Sequence, residues 1–363
     1  MVLSPPEGSL KSVFLGMFGA MMLKHQPPIH SPSTWQRAGY EVHLYTRAEV
    51  PRYLYSFTPL LYATLRHLRT QVVDTPVFLF YLVEKATSRV VGLVHITQVG
   101  PAAYSPVRAP IGGLQGSLYV PDEGWRFLLD CVEAWARSQQ MQSLTLTTAP
   151  AAYAPGLFQK LDQIYTQQNY QVVEECLSHH IPVATPGVAT PGVTTPDLVA
   201  QLAPAERRRL RKCRRAGFRA QLWQQPDVAV VYGFIENSRR AKGYPFSMSE
   251  ADFHRLLNQL PQEVLVFTVR DGSTLVSLTV AIRVSPMILY NFCPADHPDY
   301  RTYSPTVMLT EALYRYAWQH GMTLLDLGTS ADHLGAPKPG LIRFKERLGG
   351  VASSKKTYWK ELR

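Results

Sequence analysis

Near the middle of the chain, "ATPGVATPGVTTPDL" (Ala184–Leu198) repeats a five-residue unit three times. Proline withholds a backbone donor and glycine is costly to order, so this density of both cannot build a packed element. The segment reads as a Pro/Gly/Thr-rich linker over 184–200. It splits a chain of 363 residues into two parts, each long enough for an ordinary domain, where one core would be strained.

The two parts share an order of elements. In the first, Tyr53 to Arg69 reads as helical, followed by strands "VFLFYLVE" (Val77–Glu84) and "RVVGLVHITQV" (Arg89–Val99). An amphipathic helix "GWRFLLDCVEAWARS" (Gly124–Ser138) and a strand "SLTLTTA" (Ser143–Ala149) come next. In the second, helices around Ala205–Ala216 and Val228–Lys242 precede "EVLVFTVRDGSTLVSLTVAIR" (Glu263–Arg283), with the hairpin pair Asp271-Gly272 at its centre. "PMILYNF" (Pro286–Phe292) is a further strand. "SPTVMLTEALYRYAWQHGM" (Ser304–Met322) is the best-marked helix, with Ser304 suited to the N-cap, Pro305 to the first turn and Gly321 to the C′ position. A strand "TLLDLGTS" (Thr323–Ser330) and a last helix end the pattern. A meander, a helix, a strand and a helix, occurring twice, predict a duplicated α+β unit.

The N-terminal run "VFLGMFGAMML" (Val13–Leu23) is shorter than the ~20 residues a membrane span needs. Residues 1–35 are expected to be a poorly ordered extension and the protein to be cytoplasmic. Four cysteines lie far apart with no paired spacing, and eleven histidines form no ligand-like cluster. This spacing points away from a disulfide framework and from a metal site. The net charge of +10 admits anionic partners.

Most of that charge sits in one helix. "ERRRLRKCRRAGF" (Glu206–Phe218) carries seven cations against Glu206, with Leu210, Cys213 and Ala216 as its narrow apolar side. Arg207, Arg208, Arg211, Arg214 and Arg215 on the other side could meet tRNA or a diphosphate; a solvated basic face is the plainer alternative. In "GLIRFKERLGG" (Gly340–Gly350), a helical reading puts Leu341, Phe344 and Leu348 on one stripe, yet Lys345 falls between Leu341 and Ile342. An ammonium there has lost hydration, so it needs a partner or a transient anion, unless its stem merely covers Phe344 and its head snorkels.

The run Tyr290–Gly350, with "YNFCPADHPDYRTYSPTVMLTEALYRYA", "LLDLGTS" and "GLIRFKERLGG", resembles the two-domain FemAB-like branch of the GNAT acyltransferase superfamily. "ENSRRAKGYPFSMSEADF" (Glu236–Phe253) and, more loosely, "SPVRAPIGGL" (Ser105–Leu114) extend the likeness. The resemblance implies two tandem GNAT-like domains, 36–183 and 201–363, built on mixed, mostly antiparallel sheets flanked by helices. It implies transfer of an acyl group from acyl-CoA or aminoacyl-tRNA, as co-substrate with no bound cofactor, to an amine in envelope or polysaccharide precursor synthesis.

The tRNA-using members of that family place a Phe-Lys pair of the last helix beside the donor's reactive end, and Phe344-Lys345 matches that pair. Lys345 would steady the oxyanion and Phe344 pack against the donor. Arg301, Ser304 and Thr306 occupy the spacing of the family's phosphate loop, but both glycines of that signature are missing and Pro305 lacks an N–H. Arg239, Lys242 and Tyr244, with Tyr290, are assigned to the acceptor, although Gly243 and Pro245 also suit a plain turn. Asp326, ending a strand, could accept the amine's proton or cap the next turn. His333 lies in an adjoining loop. Two alternatives stay open: a nucleic-acid-binding protein working through the basic helix, and a catalytically silent scaffold.

Overall fold

A computed structural model describes residues 33–46, 50–71, 76–184, 198–243, 246–332 and 335–362. The first half comprises β1 (Ser33–Arg37), β2 (Tyr40–Thr46), a 3-10 turn Leu61–Ala63, α1 (Leu65–Thr70), β3 (Val77–Glu84), β4 (Arg89–Val99), β5 (Ala102–Ser105), β6 (Gln115–Gly116), α2 (Asp122–Ser138), β7 (Ser143–Thr147), a 3-10 turn Ala151–Tyr153, α3 (Pro155–Gln167) and β8 (Gln171–Pro182). The second comprises α4 (Leu198–Gln201), α5 (Pro204–Arg215), β9 (Arg219–Leu222), α6 (Val228–Arg240), α7 (Glu250–Gln259), β10 (Val264–Asp271), β11 (Thr274–Ser285), β12 (Ile288–Asp296), α8 (Thr306–Gln319), β13 (Leu324–Thr329), α9 (Pro339–Arg347) and β14 (Val351–Glu361).

The duplicated α+β order holds: β3-β4-β5-α2-β7-α3-β8 is answered by β10-β11-β12-α8-β13-α9-β14. Each meander is antiparallel, and each half has one parallel pair, β5 with β7 and β12 with β13. All the described strands join one sheet in the order β1-β2-β3-β4-β5-β7-β14-β8-β13-β12-β11-β10-β9, with β6 beside β4. The two final strands are exchanged. β14 lies between β7 and β8, and β8 reaches β13 of the second half. The 184–200 segment therefore divides the chain but not the sheet. The cores merge as well, since Leu61, Tyr62 and Ile111 pack with Val231, Phe253 and Leu278 from the second half.

Several sequence expectations change at the edges. Of the 1–35 extension, 1–32 lie outside the described residues, whereas Ser33–Trp35 pair with Val42–Leu44. Of the linker, 185–197 lie outside them, and Leu198 is buried in α4, so a helix replaces the last linker residues. Tyr53 to Arg69 is helical only from Leu61. Upstream, Ser56 N donates to Val90 O at 3.0 Å and Val90 N to Leu54 O at 2.8 Å, so the start of β4 captures this backbone before Pro59.

In the first half a fully buried indole, Trp125, packs on two facing glycines, Gly92 and Gly116. A Cβ on Gly116 would lie 2.4 Å from Val91 O and 2.5 Å from Trp125 Cη2. The first contact is backbone and cannot swing away. Gly116→Ala is expected to destabilise the protein by about 3 kcal/mol, read from a denaturant melt. A change under ~1 kcal/mol would mean that the indole has room to move.

Candidate active site

The second half's parallel pair is registered as Ile288↔Leu324, Leu289↔Leu325 and Tyr290↔Asp326, and then stops. Beyond this point β12 and β13 splay, and the gap is lined by the C-terminal ends of both strands. Gly328 makes the turn possible: at φ +76° it takes a left-handed conformation, and a Cβ would meet the Tyr290 ring at 3.2 Å.

Asp326 sits at the base of the splay and is 3% exposed. Its Oδ2 accepts from the Tyr153 hydroxyl at 2.6 Å, and its Oδ1 accepts from Gly328 N at 2.7 Å and from Ser178 Oγ at 3.3 Å. Burial raises its pKa, against the lowering effect of these donors and of Lys345 and Lys355. A desolvated carboxylate at the open end of a strand is a base in waiting. Tyr62 and Tyr153, reaching in from the first half, stay protonated because burial and the nearby Asp326 charge hold their hydroxyls well above the ordinary value. The Cys293 thiol, pushed up to about 12 by burial, is no nucleophile at neutral pH.

Lys345 is the one buried residue of α9. Its Nζ donates to Gly328 O and Thr329 O, each at 2.8 Å, across the strand end that carries Asp326. Burial lowers its pKa to about 8, with Asp326 pulling the other way. Its head is thus inside the protein, and the snorkelling alternative is excluded. Phe344 is half-buried and packs on the core beneath α8.

The start of α8 departs from expectation. Ser304 adopts φ +55°, and the cap position falls on Pro305 with no side-chain cap. Asp296, at the end of β12, serves this helix end instead, accepting from Thr306 Oγ1 at 2.8 and 2.7 Å and from Ser277 Oγ at 2.7 Å. The N–H groups of Ser304 and Val307 are spent on Arg301 O and Ser304 O. Two of the backbone donors that a pyrophosphate cradle could use at this helix start are therefore already engaged. Cations gather close by: Lys242 feels Arg301, Arg239 and Lys338, and desolvation first, then these neighbours, lowers its pKa against Asp296. Arg301 and Lys242 are exposed, whereas Arg239 is half-buried beside Tyr290 and Cys293. Tyr244 and His333 lie outside the described residues.

The first half offers no equivalent opening. After β5 its own chain turns back through the splay, with Gly112 N on Thr147 O at 2.9 Å, Gly113 N on Ser105 Oγ at 3.0 Å and Leu114 N on the Tyr165 hydroxyl at 3.1 Å. A Cβ on Gly112 would lie 2.5 Å from Pro106 N. This stretch, "SPVRAPIGGL", plugs the place that stays open between β12 and β13.

Thus the structure brings Asp326, Tyr290, Lys345 and Arg239 to one splay and sets Arg301, Lys242 and Thr306 at its mouth. Tyr62, Tyr153 and Ser178 were invisible to sequence reasoning. Tyr153 lies 173 positions from its Asp326 partner, so no local spacing could have paired them.

Residues 205–345 match the family described as an acetyltransferase (GNAT) domain. Over the whole chain the fold matches FemX, at a TM-score of 0.60 and 11% identity, covering 82% of this chain and 92% of that one. Residues 205–345 thus form a GNAT domain, and the chain has the two-domain fold seen in FemX. Its fold is also similar to the C-terminal domain described for a lysylphosphatidylglycerol synthetase from Agrobacterium fabrum, at 0.52 and 10% identity, covering 83% and 87% of the two chains. A conserved protein of unknown function from Bacteroides thetaiotaomicron matches at 0.50 and 10% identity, covering 78% and 86%. No curated protein matches the sequence. The GNAT domain supports acyl or aminoacyl transfer in general terms. Among the described residues, no group of three or more metal-ligating side chains occurs, the cysteines are unpaired, and no helix is long and apolar enough to cross a membrane.

Proposed function

We propose that the second half transfers an aminoacyl group from aminoacyl-tRNA to an acceptor amine, by direct attack within the β12–β13 splay. The observation that carries this reading is the pairing of a buried carboxylate, Asp326, with a buried ammonium, Lys345, at the only splay of the described parallel pairs left open. The amine nitrogen bonds to the donor carbonyl carbon, and the π electrons move to oxygen. Asp326 accepts the proton shed by nitrogen. Lys345 keeps one N–H and its charge for the oxyanion, since two N–H groups are committed to Gly328 O and Thr329 O. Collapse of the tetrahedral adduct breaks the bond to the ribose oxygen of the donor, which takes up the proton that Asp326 had accepted and leaves Asp326 ionised again. Phe344 gives the donor an apolar surface.

Two backbone donors at the start of α8 are already engaged while exposed Arg and Lys side chains stand nearby, and this favours a polynucleotide donor over acyl-CoA. In α5, Arg209 is neutralised by the buried Glu206 at 2.7 Å, and Arg214 stands 3.8 Å from Glu311. Arg207, Arg208, Arg211 and Arg215 are exposed. Lys212 links this face to the cleft mouth, donating to Thr302 O at 3.0 Å with its ammonium 4.3 Å from the Tyr303 ring centroid. A basic track thus runs from α5 past Arg301 towards Lys242.

Reversing Arg207, Arg208, Arg211 and Arg215 to Glu is expected to weaken tRNA binding and to flatten the slope of log K against log salt by roughly one per lost phosphate contact. Melting should stay within a few degrees of wild type, because these side chains are exposed. Transfer assays with charged tRNA and with acetyl-CoA decide the donor. Turnover with acetyl-CoA alone, indifferent to these four reversals, would replace the tRNA reading. Tight tRNA binding with no transfer from any donor would favour a binding protein.

A further inference from the structure

Arg239 is left over from the mechanism above. It ends α6, and its guanidinium carbon lies 5.5 Å from the Phe246 ring centroid. Its Nε is buried and has no hydrogen-bond partner among the described residues, the rest of its guanidinium reaches the Cys293 thiol, and no ion pair of Arg239 occurs among those residues. Asp296, the carboxylate that acts on neighbouring Lys242, has its oxygens engaged by Ser277 and Thr306. Lys242 adds charge of the same sign. A half-buried guanidinium without a counter-ion is costly unless an anion joins it. A second unsatisfied group shares the neighbours Tyr290 and Cys293 with Arg239: the Tyr62 hydroxyl, from a residue 6% exposed, is buried, without a hydrogen-bond partner among the described residues, and close to Asp326 as well.

We infer that the acceptor carries a carboxylate, held side-on by the Nε edge of Arg239 and by the Tyr62 hydroxyl, while its amine lies at Asp326. The free Nε matters for the choice of anion. Nε and one Nη present two parallel N–H groups, the pattern that fits the two oxygens of a planar carboxylate. The surroundings are aromatic and thiol groups (Phe246, Tyr290, Cys293), which suit a small planar anion. A tetrahedral phosphate is better served by the exposed Arg301 and Lys242 at the mouth. Tyr290 spans the two ends, being near Asp326 on one side and Arg239 on the other. The substrate class is then an amino acid, or a peptide with a free C-terminus. This inference takes the amine's position from the transfer reading, but its carboxylate half is testable by binding alone.

Calorimetric titration of the full chain with the L-amino acids and their primary amides provides the test. At least one acid is expected to bind tenfold or more tighter than its amide. Arg239→Gln should shrink that ratio below about twofold, and Tyr62→Phe should cost a smaller factor of about three. Inorganic pyrophosphate affinity should be unchanged in Arg239→Gln. The inference is overturned by an amide preference equal to the acid throughout the series, by discrimination that survives Arg239→Gln, or by pyrophosphate competing with the acid and weakening in Arg239→Gln. Absence of transfer with the acid preference intact would instead count against the transfer reading and leave the carboxylate site standing.

Discussion

Asp326→Asn is expected to cut turnover by about 10²- to 10⁴-fold, the usual range for loss of a general base, while the protein stays folded. The amide can still accept from Gly328 N and Ser178 Oγ, and it faces the Tyr153 hydroxyl with a group able to hydrogen-bond in either direction. Burial raises the pKa of Asp326, so the folded protein retains this proton where the unfolded chain has lost it. Between the unfolded value near ~4 and the folded value, stability therefore falls as pH rises. Activity runs the opposite way, because only the ionised form can take a proton. The rate profile should show an acid limb that disappears in Asp326→Asn, and the variant should melt no lower than wild type at neutral pH. A variant with normal turnover, or one that keeps the limb, would return Asp326 to the role of a turn cap.

What could be read from the chain follows the range of the interactions involved. The duplicated order was legible because strand and helix periods are local, and "DG" marks its hairpin within four residues. The strand exchange was not. β14, "VASSKKTYWKE", is half-exposed and lysine-rich, and its choice of β7 and β8 as neighbours is decided by chain segments hundreds of positions away. Lys345 announced itself as a charge on an apolar arc, and Asp326 as a carboxylate ending a strand. Arg239 and Tyr290, both assigned to the acceptor, lie beside one another, with Asp326 close to Tyr290. Ser304 misled for a physical reason. Ser-Pro before an apolar run favours an N-cap by local propensity, but Asp296 from the preceding strand satisfies that helix end through Thr306, and Ser304 turns left-handed instead. Tyr62 and Tyr153 contribute nothing recognisable in their own half; they acquire meaning only when the two halves share a core.

Lys345 separates stability from catalysis more sharply than any other residue of the site. Lys345→Met keeps the aliphatic stem and removes the ammonium. Two opposed effects then act on the fold. The carbonyls of Gly328 and Thr329 lose their donor, at about 1–3 kcal/mol each if left dry. Against this, a buried charge whose pKa has fallen from 10.5 to about 8 is no longer held, a relief of about 3 kcal/mol below pH 8. The net change should lie within ~2 kcal/mol, whereas Lys345→Ala, which also opens a cavity, should lose about 2–4 kcal/mol more. Turnover should fall about 10²- to 10³-fold in both, as when an oxyanion donor is removed. The pH dependence carries the decisive sign. Between pH 8 and 10.5 the unfolded chain binds more protons than the folded one at this site, so wild-type stability rises with pH across that window, by up to about 1.4 kcal/mol per unit. Activity should decline over the same window, because the neutral amine no longer offsets the oxyanion charge. In Lys345→Met both slopes should vanish together. If the Met variant turned over normally, or if its activity kept the alkaline limb of wild type, the ammonium would be a strut for the end of β13 and no part of the chemistry.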